Sequence, residues 1–153
     1  MYGFKEQLTN GQQSEAELDS FFAQWYTIEP VTMEQQRQGI DRVFTRKDNG
    51  HVFDIEYKTD WTASKTGNAF VETVSVDTAN KPGWAHSSQA DYLIYYVPGD
   101  DLVYVIAFAN LRARLHCWQN LPLRTIPNKG YNTIGRLVPL REFERIATQV
   151  ISL

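Results

Sequence analysis

At 153 residues the chain has room for one domain on the usual scale of ~100–200 residues each. Hydrophobic residues at 42% and charged residues at 22% describe a chain that buries a core, which excludes intrinsic disorder. One cysteine, Cys117, excludes an internal disulfide framework or a Cys-rich zinc site and fits a reducing compartment, while a net charge of −3, taken whole, weighs against a nucleic-acid binder.

Residues 1–13, polar with Gly3 and Gly11, read as a loose N-terminal arm without a basic-then-apolar leader. Ser14-Glu15-Ala16-Glu17 has the form of a capping box, and Leu18, Phe21, Phe22 and Trp25 follow at helical spacing. An amphipathic helix is therefore expected from Ser14 to about Tyr26, broken before Pro30, with a polar turn over 33–38. From Gly39 the period changes to two. Strands are expected over 40–44 and 51–59, joined by a hairpin turn at Lys47–Gly50, with Phe53, Ile55 and Tyr57 on one face and Asp54, Glu56 and Lys58 on the other. A third strand follows over 69–76, then a short helical piece over 84–90. The apolar runs 92–97 and 102–109 read as two buried strands, far short of the ~20 residues that cross a bilayer. Asn110 can cap a helix over 111–118, a Pro- and Gly-rich loop precedes a strand near 133–138, and a last helix is expected over 140–150. The order describes one α/β domain over 1–153, a mixed sheet covered by helices.

Candidate chemistry gathers at Asp41 and at Glu56-Tyr57-Lys58. Alternation puts Glu56 and Lys58 side by side, and the hairpin lets Asp41 converge on them. Two facing carboxylates repel, and a hard cation such as Mg²⁺ relieves that repulsion. A neighbouring lysine can orient a water and offset charge on a phosphate. A bare acidic-x-Lys triplet arises by chance on the order of 0.7 times in a chain of this composition, so its place after a helix and a Gly-Ile-Asp strand is what carries the reading. Glu72, on the strand after Lys58, is a candidate accessory acid by sheet neighbourhood. Asp54 shares the face of Glu56 and either adds charge or meets water.

Gly39-Ile40-Asp41, a short hairpin, then Ile55-Glu56-Tyr57-Lys58, all behind an amphipathic helix, resembles the PD-(D/E)xK nuclease superfamily. The superfamily includes restriction enzymes, junction resolvases and small phage or mobile-element nucleases. The resemblance spans about residues 14–97 and implies a restriction-endonuclease-like core of helix, three strands, helix and strand, extended here by a C-terminal strand and helix. It implies a metal-dependent DNA endonuclease in which Asp41 and Glu56 ligate Mg²⁺, with Mn²⁺ as a substitute. The Tyr57 backbone carbonyl would complete that site and Lys58 would be the catalytic lysine. Glu15 falls where some members supply a further carboxylate, and Ser87 lies in a segment, with Trp84, Ser88 and Asp91, that often approaches the site. A homodimer is what the resemblance implies for small members, and a cytoplasmic protein without membrane contact is the default.

The charge is unevenly placed. Residues 1–110 hold eight basic and sixteen acidic side chains, whereas 111–153 hold seven basic and two acidic. Arg112, Arg114, Arg124, Lys129 and Arg136, with Lys65 nearer the site, are the candidate nucleic-acid contacts, because phosphate recognition needs clustered positive charge. DNA is the expected partner and RNA stays open beside it. The competing reading is a non-catalytic module on the same fold that binds nucleic acid or a protein.

Overall fold

The computed structural model describes residues 4–153, with side chains described from residue 10 onward. The described residues form two sheets. A mixed six-stranded sheet runs in the order β1 (Tyr26–Pro30), β2 (Arg42–Arg46), β3 (Val52–Thr59), β6 (Tyr92–Val97), β7 (Leu102–Ala107) and β10 (Gln149–Ser152). An antiparallel four-stranded sheet runs β5 (Lys81–Pro82), β4 (Asn68–Val76), β9 (Asn132–Pro139) and β8 (Leu123–Pro127). All pairs in the first sheet are antiparallel except β3 with β6. A parallel pair needs a long crossover. Here the crossover contains the short helices α3 (Ala63–Thr66) and α4 (Trp84–Ser87) together with β4 and β5.

The period-two pattern of β3 and β6 explains the two cores. Ile55, Tyr57, Ile94 and Tyr96 join Phe44 and Val103 under α1 (Phe4–Phe22), whose Leu18 and Phe22 are buried there. Leu93, Tyr95 and Val97 point to the opposite face and meet Val71, Val138, Trp118 and Phe143. β6 is thus packed on both sides, which is why its sequence reads Tyr-Leu-Ile-Tyr-Tyr-Val without alternation. Polar ties fix α1 on its face. Asp19 accepts from the Tyr57 hydroxyl at 2.8 Å and from Arg42 Nε at 3.1 Å, and Glu17 accepts from the Tyr96 hydroxyl at 2.9 Å. Among the described residues no helix is long and apolar enough to cross a membrane.

Several expectations are corrected. The arm over 1–13 is helical from Phe4 onward, with residues 1–3 outside the described part. Ser14 lies inside α1, 2% exposed, and its hydroxyl donates back to the Asn10 carbonyl at 2.9 Å, so it bends inward to its own turn instead of capping a helix start. The helix ends at Phe22, because Tyr26–Pro30 pairs with β2 as a strand, Tyr26 against Arg46 and Pro30 against Arg42. The turn at 33–38 is the helix α2 (Met33–Arg37), started by a true capping box between Thr32 and Gln35. The three-strand run after α1 is β1, β2 and β3. The 69–76 strand belongs to the second sheet, pairing with β5 and β9, so one mixed sheet becomes two. Asn110 sits within α5 (Phe108–Arg114) and not at its start. The last helix, α6 (Leu140–Ile146), stops early because 149–152 returns to pair with β7.

The second sheet is tied to its own turn through Asp77. That carboxylate accepts from the Asn132 backbone N–H at 2.9 Å and from the Asn132 side-chain amide at 3.0 Å. These donors, led by the Asn132 backbone, hold its pKa below the ordinary aspartate value. A depressed folded pKa gives stability that is present above the unfolded value near 3.8 and lost as pH falls through the folded one. The melting-temperature gap between wild type and Asp77→Ala is therefore expected to be full at neutral pH and to shrink below about pH 3.8. A gap that widens in acid would contradict this.

Candidate functional site

The β2–β3 hairpin turns through Gly50, whose φ of 73° suits the left-handed position. Its register sets Arg42 against Ile55 and Val43 against Asp54, which carries Asp41 opposite Glu56. Asp41 extends the ladder by donating its N–H to the Ile55 carbonyl at 2.8 Å. The Tyr57 N–H in turn donates to Asp41 Oδ2 at 2.8 Å. In a strand the carbonyl of a residue leaves by the same edge as its N–H, so the Tyr57 carbonyl opens on the Asp41 side. The chain before Asp41 is pinned as well. Gly39 has φ 77°, and a Cβ there would stand 2.9 Å from Ser88 Cα, so only glycine permits this approach. The Ser88 hydroxyl donates to the Gly39 carbonyl and Gln89 N–H to the Gln38 carbonyl, both at 2.8 Å.

Glu56 is the buried member, 4% exposed. Its Oε1 lies 3.2 Å from Lys58 Nζ, and Lys58 itself reaches solvent. Its Oε2 has no hydrogen-bond partner among the described residues. Burial pushes the Glu56 carboxyl above its ordinary pKa, Lys58 and the neighbouring Ser88 hydroxyl pull it down, and the charge of Asp41 raises it again. An unpartnered buried carboxylate oxygen beside a second carboxylate is the environment a divalent cation satisfies. The donor set is lean. Among the described residues no cluster of three or more His, Cys, Asp or Glu is placed to hold a metal. Two carboxylates, a backbone carbonyl and water fit Mg²⁺, which keeps much of its hydration, better than a metal that needs a full protein cage.

The other candidates fall in several places. Glu15 lies 3.4 Å from Arg42, burial raises its pKa, and the charge of Asp41 reaches it. Glu72 accepts the Trp84 N–H at 3.0 Å, which satisfies the start of α4. Asp54 shares its neighbourhood with Asp91, whose Oδ2 accepts the Asp54 N–H at 2.8 Å. Ser87 donates to the Gly83 carbonyl at 3.0 Å. Arg112 donates to the carbonyls of Ala85 and Ser88 and lies over the Phe108 ring, so it fastens the Ser88 segment. Arg114 pairs with Glu142 at 3.6 Å, and Arg136 donates to the Leu121 carbonyl at 2.8 Å. Lys65, Arg124 and Lys129 are exposed.

Two open cavities meet at Lys58. One of about 370 Å³ lies between the sheets, with Lys58, Trp61, Thr66, Trp84, Tyr95 and Arg124 on its wall. The other, about 350 Å³, is bounded by Gln12, Glu15, Tyr57, Lys58 and Trp61. A larger one, about 740 Å³, lies between the end of α1, the β2–β3 turn and β10, and touches none of the three motif residues. Sequence reading missed Trp61 and the helix residue Asp19. A tryptophan three positions past Lys58 in a polar stretch was the available signal for the first.

No family model matches the sequence, and no curated protein matches it at a significant level. Among solved structures, the chain is similar to a bacterial homing endonuclease, I-Ssp6803I, at 20% identity over 72% of this chain and 74% of that one, with a TM-score of 0.49.

Proposed function

We propose that this chain is a metal-dependent DNA endonuclease, with Mg²⁺ held between Asp41 and Glu56. The observation that carries the reading is Glu56 Oε2, buried and unpartnered beside Asp41, with Lys58 on the other oxygen. The order of elements supports the resemblance to PD-(D/E)xK nucleases. Asp41 immediately precedes the second strand of an antiparallel run of three behind α1, Glu56 and Lys58 lie on the third, and a parallel strand pairs beside it.

A divalent cation bound there supplies Lewis-acid stabilisation of charge on the phosphate oxygens. Asp41, Glu56 and the Tyr57 carbonyl would hold it. The Lys58 ammonium, at the meeting of two open cavities, hydrogen-bonds the attacking water and offsets negative charge as it develops. In-line attack on phosphorus forms the new P–O bond and breaks the bond to the 3′ oxygen; the water gives up a proton to solvent and the departing 3′ oxygen takes one from solvent, leaving a 5′-phosphate and a 3′-hydroxyl. Mn²⁺, with similar oxygen-ligand preferences, substitutes.

The protein incubated with supercoiled, linear, single-stranded and branched DNA is expected to cleave at least one of them in Mg²⁺ or Mn²⁺. Chelation and Asp41→Ala are each expected to stop it. Intact substrates throughout, or equal cleavage by Asp41→Ala, would overturn the reading. A second reading, a non-catalytic binding module, draws on Glu15 and Glu72, whose carboxylates are engaged by Arg42 and by the Trp84 N–H. Salt-sensitive DNA binding that needs no metal and leads to no cleavage would favour it.

A further inference from the structure

Trp61 is held out into solvent by a fixed loop. Trp61 is 52% exposed, although both carboxylate oxygens of the residue before it are hydrogen-bonded. The Asp60 N–H donates to the Tyr96 carbonyl at 2.9 Å. Its Oδ1 accepts from the N–H groups of Thr62 and Ala63, at 3.0 and 2.9 Å, which starts α3. Its other oxygen accepts from the buried Tyr95 hydroxyl, which itself accepts the Phe70 N–H at 3.1 Å. Both carboxylate oxygens are thus engaged in setting the turn that carries Trp61. A ring left exposed on a rigid turn is preorganised for contact.

Its position names the contact. Lys58, Thr59 and Trp61 form the wall common to the two cavities, so the ring stands beside the ammonium assigned to the scissile phosphate. The inter-sheet cavity, about 370 Å³, is within the ~300–1,000 Å³ range of small-ligand sites, far too narrow for a duplex. Aromatic walls with a polar rim of Thr62, Thr66 and Asn68 suit a base, which offers a π-face and hydrogen-bonding edges. Arg124, exposed across the same opening, suits the next phosphate.

We propose that this cavity is a nucleobase pocket, in which the base next to the cleaved bond leaves the helical stack and lies against Trp61 while Arg124 takes the following phosphate. The substrate class that follows is DNA carrying an unpaired nucleotide at the cut, such as a single strand, a flap or a bulge, in preference to continuous duplex. The inference rests on the nuclease reading for its placement beside the scissile phosphate, but its test reads binding.

The test is the affinity of the whole protein, by fluorescence anisotropy with Ca²⁺ in place of Mg²⁺, for one labelled sequence. That sequence is presented as a single strand, as a blunt duplex and as a duplex with one bulged nucleotide. Single-stranded and bulged forms are expected to bind more tightly than blunt duplex. Trp61→Ala is expected to weaken single-strand binding about 5- to 150-fold while Trp61→Phe keeps most of it. Arg124→Gln is expected to reduce the salt slope by about 0.7, one single-strand phosphate contact. Equal affinity for single strand and blunt duplex, or wild-type affinity in Trp61→Ala, overturns the proposal even if metal-dependent cleavage is found. Trp61-dependent single-strand binding without any cleavage supports the pocket and overturns the nuclease reading instead.

Discussion

Lys58→Ala is expected to lower the rate of DNA cleavage by about 10²–10⁴-fold, the range for removing a positioned proton-transfer or charge-stabilising group. The variant is expected to lose some stability as well, because Lys58 is the partner of a buried carboxylate, so rates are compared on preparations checked for folding. Cation binding should survive or tighten, because the variant frees Glu56 Oε1 from a competing ammonium. This split separates a catalytic lysine from a merely structural one. Lys58→Arg should not restore the rate, since a planar guanidinium cannot take the place of a compact ammonium at 3.2 Å from the carboxylate. Steady-state cleavage alongside calorimetric cation titration of the same preparations makes the comparison. Near-wild-type cleavage by Lys58→Ala would remove the lysine from the mechanism.

The largest loss of stability is expected from Phe143→Ala. Phe143 is fully buried, and its ring meets Tyr95 edge-on at 4.9 Å, Tyr104 at 6.1 Å and Trp118 at 6.2 Å. Truncating such a residue leaves a cavity between the sheets and costs about 3–5 kcal/mol, a large share of the ~5–15 kcal/mol that holds a domain together. Urea unfolding should show a lower midpoint with an unchanged slope. The consequence reaches the site, because Tyr95 both packs on Phe143 and donates to Asp60, which sets the Trp61 turn. A loss below about 1 kcal/mol would mean that the two sheets do not share this core.

How much of this was legible in the residues depended on where their partners lie. β3 and β7 were readable because alternation or a continuous apolar run is a local property, and the hairpin fixed the convergence of Asp41 with Glu56 through a few residues of chain. β1 was hidden because Phe21, Phe22 and Trp25 continue a helical spacing into Tyr26, and only pairing with β2 reveals the strand. β8 starts just after Pro122 and ends on Pro127 at a sheet edge, where strand signals are weak. β10 is four residues long and owes its form to β7. The membership of β4 in a second sheet depends on β9, far along the chain. The arginines show the same limit. Arg112 and Arg136 donate to carbonyls of Ala85, Ser88 and Leu121, and no sequence pattern separates them from exposed Arg124. The basic last third of the chain therefore combines fasteners of the fold with a smaller set of free cations.

Whether Asp41 and Glu56 hold a divalent cation is decided by calorimetric titration of Mn²⁺ into wild type and Glu56→Gln at neutral pH. Gln matches the shape of Glu56 but cannot supply the charge that the unpartnered Oε2 offers. One saturable site is expected in wild type and in Lys58→Ala, and its loss in Glu56→Gln. No saturable binding in wild type, or the same binding in Glu56→Gln, would contradict it.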